Sequence, residues 1–414
     1  MPELPEALAI DLSDPVRDPI WRHIYLPRGF RAIIETPDFV KLIGIRQLGP
    51  AWLAYPGATH TRYNHSLGVL ETARRLLSSL AGRVALDFIT EEGVRSFLAA
   101  ALCHDVGHFP WAHSLKELPL VDHEVLTGRA LREGALRDAV GAAGADPERA
   151  AAIVDAELPG ADRETRFYRG LLSGVLDPDK LDYLNRDAYF CGVPYGLQDV
   201  DFALSRLALA PGDRLAVDAR GVMSVEAVLF SKYLMYRAVY WHRTVRSATA
   251  MVKKAVAGAL ASGRLVAGSL YGLDDAGFVR LAVALGGAEA ALVERVVEGR
   301  PYRAVFDEPF DDLSPAAPIL LDLAKRAAFE EELARRLSRA TRRARPEDVV
   351  VDVPEPVSFE TELPVVGDSR EAGSVFGPDA SKSFSRSLRR VRVLVRDGTE
   401  ADEAAARAAL DALP

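Results

Sequence analysis

The sequence predicts a mainly helical protein with a small α/β segment at its C-terminal end. From residue 38 to about residue 343, apolar residues recur every three or four positions, as they do on one face of a helix. Beyond residue 345, a short β-branched run bounded by prolines appears, which is typical of a strand. We therefore divide the chain into a helical core at 1–262, a second helical region at 263–345 and an α/β segment at 346–414.

The helical core is predicted to hold several helices. Its first 35 residues lack helical periodicity and are expected to be extended or loop. Apolar spacing, together with start signals such as Asp146-Pro147-Glu148, then marks the helices. They are expected at residues 67–80, at 91–105, twice within 120–156, and as one very long helix over 224–260.

The α/β segment is predicted from local composition. β-Branched residues favour strands, whereas a run rich in Gly, Ser and Asp indicates a flexible loop. The expected elements are a strand at 348–353, a loop at 366–387, a second strand at 391–396 and a helix at 400–413.

The bulk composition argues against several classes of protein. The net charge of -8 gives no overall field that attracts nucleic acid. The two cysteines, Cys103 and Cys191, argue against a disulfide framework and suit a reducing compartment. The sequence starts without a basic leader, and its apolar runs are shorter than the about 20 residues that span a bilayer. We expect a cytoplasmic protein with no membrane partner.

The histidines are clustered, since six of the eight lie between residues 60 and 123. His23 and His60 are interpreted as structural residues. The pair His104-Asp105 is different because it follows the apolar run Phe97–Cys103, which must be buried. A buried His-Asp pair is costly unless it is paired or bound to a metal.

A mixed histidine and carboxylate metal site follows from this pair. His65 on the preceding helix can add a second nitrogen ligand. Such sites suit Fe, Mn, Zn, Ni or Co and leave positions for water and substrate, which is hydrolytic chemistry. A further carboxylate is expected from the stretch 176–187, which contains Asp177, Asp179, Asp182 and Asp187. In the same stretch Lys180, Tyr183 and Asp187 share one helical face that could contact phosphate and sugar.

Together these motifs resemble the HD-domain deoxynucleoside triphosphate (dNTP) triphosphohydrolases, a family that includes bacterial dGTPases and an animal enzyme with SAM and HD domains. The resemblance covers roughly residues 20–245 and implies that the core is an HD domain. The matching segments are 35–49, 55–70, 102–113, 122–124, 177–187 and 233–243.

The resemblance implies a reaction and a set of roles. A water activated by a divalent transition metal would attack the α-phosphorus, giving a deoxynucleoside and tripolyphosphate, with Mg accompanying the triphosphate. The implied metal ligands are His65, His104, Asp105 and Asp179. The implied catalytic residues are His123, which would protonate the leaving 5′ oxygen, Glu124, His108 and Asp105. The implied substrate contacts are Gln47, Leu48, Arg62, His113, Lys180, Tyr183, Asp187, Lys232 and Tyr240.

Two departures from the family pattern concern chemistry. Lys232 stands where the animal enzyme has a phosphate-binding arginine, so the charge is kept but the bidentate fork is lost. Lys116 stands where that enzyme has an aspartate that supports the catalytic histidine. Glu117 could substitute for it, although helical geometry points it about 100° away.

A third departure concerns regulation. Glu35, Val40 and Ile43 occupy the positions that recognise an activating guanine nucleotide in the animal enzyme. Val40 and Ile43 cannot make polar contacts. We therefore expect no guanine activation, or a different effector.

Two other interpretations stay open. An HD phosphohydrolase acting on another nucleotide or a nucleic-acid phosphoester would use the same metal ligands. A nucleic-acid-binding protein with a vestigial site is weakly supported by the basic residues Arg386, Arg389, Arg390, Arg392 and Arg396, which a solvated strand edge explains more simply. Family likeness also implies a homo-oligomer, as a dimer, tetramer or hexamer.

Overall fold

Helices account for most of the chain in the computed structural model, which describes residues 15–84, 86–160, 162–340, 344–360, 363–366 and 377–413. The prediction of a mainly helical fold with a small sheet near the C-terminus is confirmed. None of the helices in these ranges is long and apolar enough to cross a membrane.

The first part of the chain forms short strands and a group of packed helices. Its strands are β1 (Val16–Asp18) and β2 (Arg22–Ile24), an antiparallel hairpin. Its helices are α1 (Arg31–Ile34), α2 (Pro37–Val40), α3 (Arg62–Ala81), α4 (Glu91–Cys103), α5 (His123–Leu131), α6 (Gly134–Ala142), α7 (Pro147–Val154), α8 (Arg163–Leu172), α9 (Pro178–Cys191) and α10 (Val200–Leu204).

The predicted helices at 67–80 and 91–105 are confirmed as α3 and α4. Thr61 and Asn64 form a capping box at the start of α3, and Thr90 caps α4 by accepting from the Gly93 amide. The region 120–156 holds three helices rather than two. Gly134, at a φ of 61°, starts the additional helix α6.

The remaining elements follow in chain order. The helices are α11 (Val222–Met235), α12 (Arg243–Ala261), α13 (Asp275–Leu285), α14 (Gly287–Val297), α15 (Ala317–Leu320), α16 (Leu323–Ala340), α17 (Gly377–Leu388) and α18 (Glu400–Leu410). The strands are β3 (Leu207–Ala210), β4 (Arg214–Val217), β5 (Arg303–Pro309), β6 (Val349–Asp352) and β7 (Arg390–Val395).

The prediction of one long helix over 224–260 is wrong. A π-helical turn at Tyr236–Tyr240 follows α11, and the chain then breaks at Trp241 and His242. His242 leaves the helical conformation with a ψ of 137° and caps α12 by accepting from the Thr244 amide. The continuous apolar pattern hides this break because the helices on both sides of it bury apolar residues, α11 in one core cluster and α12 in another.

The C-terminal sheet confirms the strands predicted at 348–353 and 391–396 and the helix after residue 400. Its order is β5-β7-β6, with every pairing antiparallel. Two expectations were wrong. β5 interrupts the region 263–345, which was predicted to be helical, and α17 occupies part of the loop predicted at 366–387, of which 367–376 lie outside the described residues. The hairpin β3–β4 was also missed.

Candidate active site

Three helices bring the predicted metal ligands together. His65 lies one turn into α3, Asp179 is the second residue of α9, and His104 caps the C-terminal end of α4. The Nε2 atom of His65 lies 2.9 Å from Oδ1 of Asp179, and Nε2 of His104 lies 4.0 Å from the same oxygen. One ligand atom from each residue lies within 4.8 Å of the other two, which is close enough for all three to hold one ion.

Asp105 borders this group. Its Oδ1 lies 3.5 Å from Nε2 of His104, and its Oδ2 accepts a hydrogen bond of 2.5 Å from Arg62. Burial alone would raise the pKa of the Asp105 carboxyl. The Arg62 guanidinium and the nearby histidines lower this pKa by more than burial raises it, so the pKa lies well below its usual range. The carboxylate is therefore charged and available as a ligand at neutral pH.

The donor set fits a divalent transition metal. Two imidazole nitrogens and two carboxylates form a mixed nitrogen and oxygen site, which suits Fe, Mn, Co, Ni or Zn. The side chain of His65 is 1% exposed and that of Asp179 is 38% exposed. The site is therefore closed on the His65 side and open to solvent at Asp179, where water or substrate can enter.

A second group of histidines adjoins the ligands. The ligand atoms of His108, His113 and His123 lie within 4.8 Å of one another, and the rings of His108 and His123 stack at 3.9 Å. Nε2 of His108 lies 3.2 Å from Oδ1 of Asp105. Burial and the nearby Arg62 lower the pKa of His108 well below its usual value, so it is neutral.

The support for His123 differs from the sequence-based expectation. Glu117 lies 3.1 Å from Nζ of Lys253 and 2.8 Å from Arg326, so it is occupied by two cations and does not stand in for the missing aspartate. Oδ1 of Asp122 instead lies 3.0 Å from Nδ1 of His123. Sequence reasoning missed this role, although the adjacency of Asp122 to His123 was a visible signal.

Two predicted phosphate contacts lie together beside the metal ligands. Nζ of Lys180 lies 2.6 Å from Asp177 and 3.4 Å from Glu360. Nζ of Lys232 lies 3.2 Å from the same oxygen of Glu360. A carboxylate from beyond the predicted core therefore lies between the two lysines, and nothing local in the sequence indicated it.

Three of the predicted sugar contacts lie near one another, namely Tyr183 and Asp187 of α9 and Tyr240 of the π-helical turn. Asp187 accepts hydrogen bonds of 2.7 Å from the Tyr240 hydroxyl and 2.8 Å from His60. The rings of Tyr183 and Tyr240 lie 6.5 Å apart. His60 was interpreted as structural, and its bond to Asp187 links it to this group. Among the described residues Oε1 of Gln47 has no hydrogen-bond partner, although it is buried.

The basic cluster near the C-terminus does not form a solvated strand edge, so that interpretation was wrong. β7 is the central strand of its sheet. Arg389 and Arg392 are buried, and their guanidinium groups pair with Asp312 and Asp307 respectively. These contacts neutralise charge that a nucleic-acid surface would need to expose.

Two family models match the chain. The model described as the HD domain matches residues 62–187, and the model described as the HD associated region matches residues 199–373.

Curated relatives match part of the chain. It is 30% identical over 303 residues to the uncharacterized protein MJ1154 of Methanocaldococcus jannaschii, covering 72% of this chain and 61% of that protein. It is 34% identical over 242 residues to the uncharacterized protein YwfO of Bacillus subtilis, covering 58% of this chain and 54% of that protein. It is 27% identical over 275 residues to the deoxynucleoside triphosphate triphosphohydrolase SAMHD1 of Danio rerio, covering 58% of this chain and 44% of that protein. The chain thus spans between 44% and 61% of the length of these relatives.

Solved structures share the fold over most of the chain. A phosphohydrolase from Bacteroides thetaiotaomicron aligns with a TM-score of 0.72 at 22% identity, covering 92% of this chain and 100% of that one. A hypothetical protein from Aquifex aeolicus aligns with a TM-score of 0.71 at 24% identity, covering 95% of this chain and 99% of that one.

Proposed function

Because this chain belongs to the HD-domain family and carries an HD domain followed by an HD-associated region, we propose that it is a metal-dependent dNTP triphosphohydrolase. Its reaction would convert a dNTP to a deoxynucleoside and tripolyphosphate. The observation that carries the proposal is the order of side chains along α9. Asp179 contacts the His65 ligand, Lys180 lies beside Lys232 and Glu360, and Asp187 lies with Tyr240.

The order of these side chains along α9 corresponds to the order of the phosphate and sugar groups in a nucleotide. The metal ligands come first, then a cation for phosphate, and then a carboxylate and phenol that suit hydroxyl groups of a sugar. A divalent ion held by His65, His104, Asp105 and Asp179 would polarise a phosphoryl oxygen and lower the pKa of a water molecule. Every other contribution comes from the side chains of the chain itself.

The cations nearest the ligands would hold the phosphates. Lys180 and Lys232 would bind the triphosphate in place of Glu360, and Arg62 would add charge beside Asp105. His123 would donate a proton to the leaving 5′ oxygen while Asp122 accepts from its Nδ1 atom.

The sugar end of the site supports a deoxyribose. Asp187 can accept from a 3′-hydroxyl, and Oε1 of Gln47 offers a second acceptor that has no partner in the described part of the chain. Leu48 packs near Tyr55 against the core and would close the space beside the sugar. A tight apolar contact there would disfavour a 2′-hydroxyl because that group would lose its hydrogen bonds.

The reaction is tested by assaying the purified protein with each dNTP, singly and mixed, under Mn, Mg, Fe or Co. The products are separated as tripolyphosphate, pyrophosphate or phosphate. We expect tripolyphosphate and nucleoside in equal amounts. Release of single phosphates only would contradict the proposal, as would turnover of another phosphoester with none of any dNTP.

The assignment of the ligands is tested with a double variant, His104→Ala with Asp105→Ala. It should lose bound metal and activity together, whereas the control Asp213→Asn, at a residue that pairs with Arg163 outside the site, should keep both. Full activity in the double variant would refute the ligand assignment. We also propose that the chain forms a homo-oligomer, as the family resemblance implies, and light scattering of the purified protein measures its size.

A further inference from the structure

His65 has a second nitrogen that faces away from the proposed ion. Its Nδ1 atom lies 2.8 Å from Oδ2 of Asp182, and the two side chains are 1% and 0% exposed. We propose that Asp182 is a positioning residue that orients His65 for metal binding, and that the N-terminal hairpin β1–β2 holds Asp182 in place. This inference rests on the proposed metal site and assigns the metal affinity of that site partly to residues that never touch the ion.

Both oxygens of Asp182 are used, so its carboxylate cannot rotate. Arg186 donates from Nε to Oδ2 at 2.7 Å and from Nη2 to Oδ1 at 2.9 Å. The indole nitrogen of Trp21 donates to Oδ1 at 2.6 Å. With its partners fixed, Asp182 offers His65 an acceptor at one position only.

The hairpin is tied to this network at a second point. The side chain of Arg186 is 0% exposed and donates a hydrogen bond of 2.7 Å to Oδ2 of Asp18. The other oxygen of Asp18 accepts from the amides of Ile20 and Trp21, at 2.9 and 2.8 Å, and so shapes the turn between β1 and β2. The position of the Trp21 indole therefore depends on the same aspartate that anchors Arg186.

Gly68 allows α3 and α9 to approach closely enough for these contacts. It lies three residues after His65, on the same face of α3. A Cβ atom at this position would lie 1.9 Å from Oδ1 of Asp182 and 2.4 Å from Arg186. A glycine is required here because any side chain would displace the carboxylate that contacts His65.

The hydrogen bond decides which nitrogen of His65 is free. When Asp182 accepts from Nδ1–H, the neutral imidazole presents the lone pair of Nε2 to the ion. The carboxylate also makes the imidazole more basic and limits its rotation, and loss of such partners costs about 10- to 100-fold in metal affinity. A purely structural role for Asp182, as the partner of Arg186, would affect stability and leave metal affinity unchanged.

The test compares three variants of the full-length protein. Asp182→Asn removes the charged acceptor. Trp21→Phe removes one donor but keeps a ring beneath the Arg75 guanidinium, which lies 4.7 Å from the Trp21 ring centre. Trp52→Phe is the matched control, because Trp52 contacts Arg46 and lies outside the network. After removal of metal, the affinity of each protein for Mn²⁺ is measured by titration calorimetry, and the visible spectrum of the Co²⁺ form reports ligand geometry.

We expect Asp182→Asn to weaken Mn²⁺ binding by about 10- to 100-fold, Trp21→Phe to weaken it by a smaller factor, and Trp52→Phe to leave it unchanged. The Co²⁺ spectrum should change in the first two variants. Unchanged Mn²⁺ affinity and Co²⁺ spectrum in a folded Asp182→Asn or Trp21→Phe protein would overturn the inference. If Asp182→Asn does not fold, Trp21→Phe alone decides it. Failure of the wild-type protein to bind any divalent ion would instead contradict the proposed function.

Discussion

Replacing Glu360 by glutamine should strengthen the binding of a triphosphate. One oxygen of Glu360 lies 3.4 Å from Nζ of Lys180 and 3.2 Å from Nζ of Lys232, the two lysines that we propose as phosphate contacts. Lys232 also donates a hydrogen bond of 2.8 Å to the carbonyl oxygen of Ser358, which lies two residues before Glu360. A phosphate that binds both lysines must therefore displace an anion belonging to the protein itself.

The size of the expected gain in triphosphate affinity follows from how exposed the Glu360 side chain is to solvent. The side chain of Glu360 is 44% exposed, whereas those of Lys180 and Lys232 are 14% and 8% exposed. Water screens a carboxylate this open, so each pair contributes at most about 0.5 kcal/mol, and the two together about 1 kcal/mol. Removing that competition corresponds to a Kd for the triphosphate that is lower by at most roughly fivefold, since about 1.4 kcal/mol is tenfold.

The assay is a titration of metal-loaded protein with tripolyphosphate and with a non-hydrolysable dNTP analogue, at two salt concentrations. Glu355→Gln is the matched control because Glu355 lies in the same segment but contacts Lys253, 3.3 Å away. We expect the gain in Glu360→Gln to shrink at high salt and to be absent in the control. Equal gains in both variants would indicate a general charge effect, and weaker binding in Glu360→Gln would refute the reasoning.

Three further predictions follow from the site. Asp122→Asn should lower kcat by at least about tenfold with little change in KM, because His123 loses the acceptor that orients it; unchanged steady-state kinetics would contradict this. Glu117→Gln should lower the free energy of unfolding by about 3 kcal/mol and leave kcat unchanged, since the buried Arg326 loses its charged partner and Lys253 keeps only Glu355, and urea denaturation measures this. GTP or dGTP should not greatly activate turnover of another dNTP, because Val40 and Ile43 are apolar and exposed; strong activation would refute it.

Three of the proposed metal ligands could be anticipated because each is marked locally. His104 and Asp105 follow an apolar run that becomes the buried helix α4, and His65 lies on the strongly patterned helix α3. The sequence alone left four aspartates open for the remaining ligand. Asp177 is distinguished by a local contact because it caps α9, whereas Asp182 is distinguished only by its contact with the far nitrogen of His65 on α3.

The elements that sequence reasoning missed depend on distant partners. β5 pairs with β7, and Arg303 lies opposite Val395, so its strand conformation is set by residues about ninety positions later in the chain. The break between α11 and α12 is set by the cap at His242, which a continuous apolar pattern does not reveal. Local periodicity identifies a buried face, but it does not say which element covers that face.

The HD-associated region completes the side of the site where phosphates would bind. Lys232 and Glu360 both lie in it, while Lys180 comes from α9 of the HD domain. Glu117 of the HD domain is likewise bonded to Lys253 and Arg326 of the later region. The four proposed metal ligands thus all lie within the HD domain, whereas the proposed phosphate site also draws Lys232 and Glu360 from the second region, so on this proposal the affinity for phosphates depends on the contact between the two regions. A change in that contact would alter KM for a nucleotide while the metal ligands stay intact.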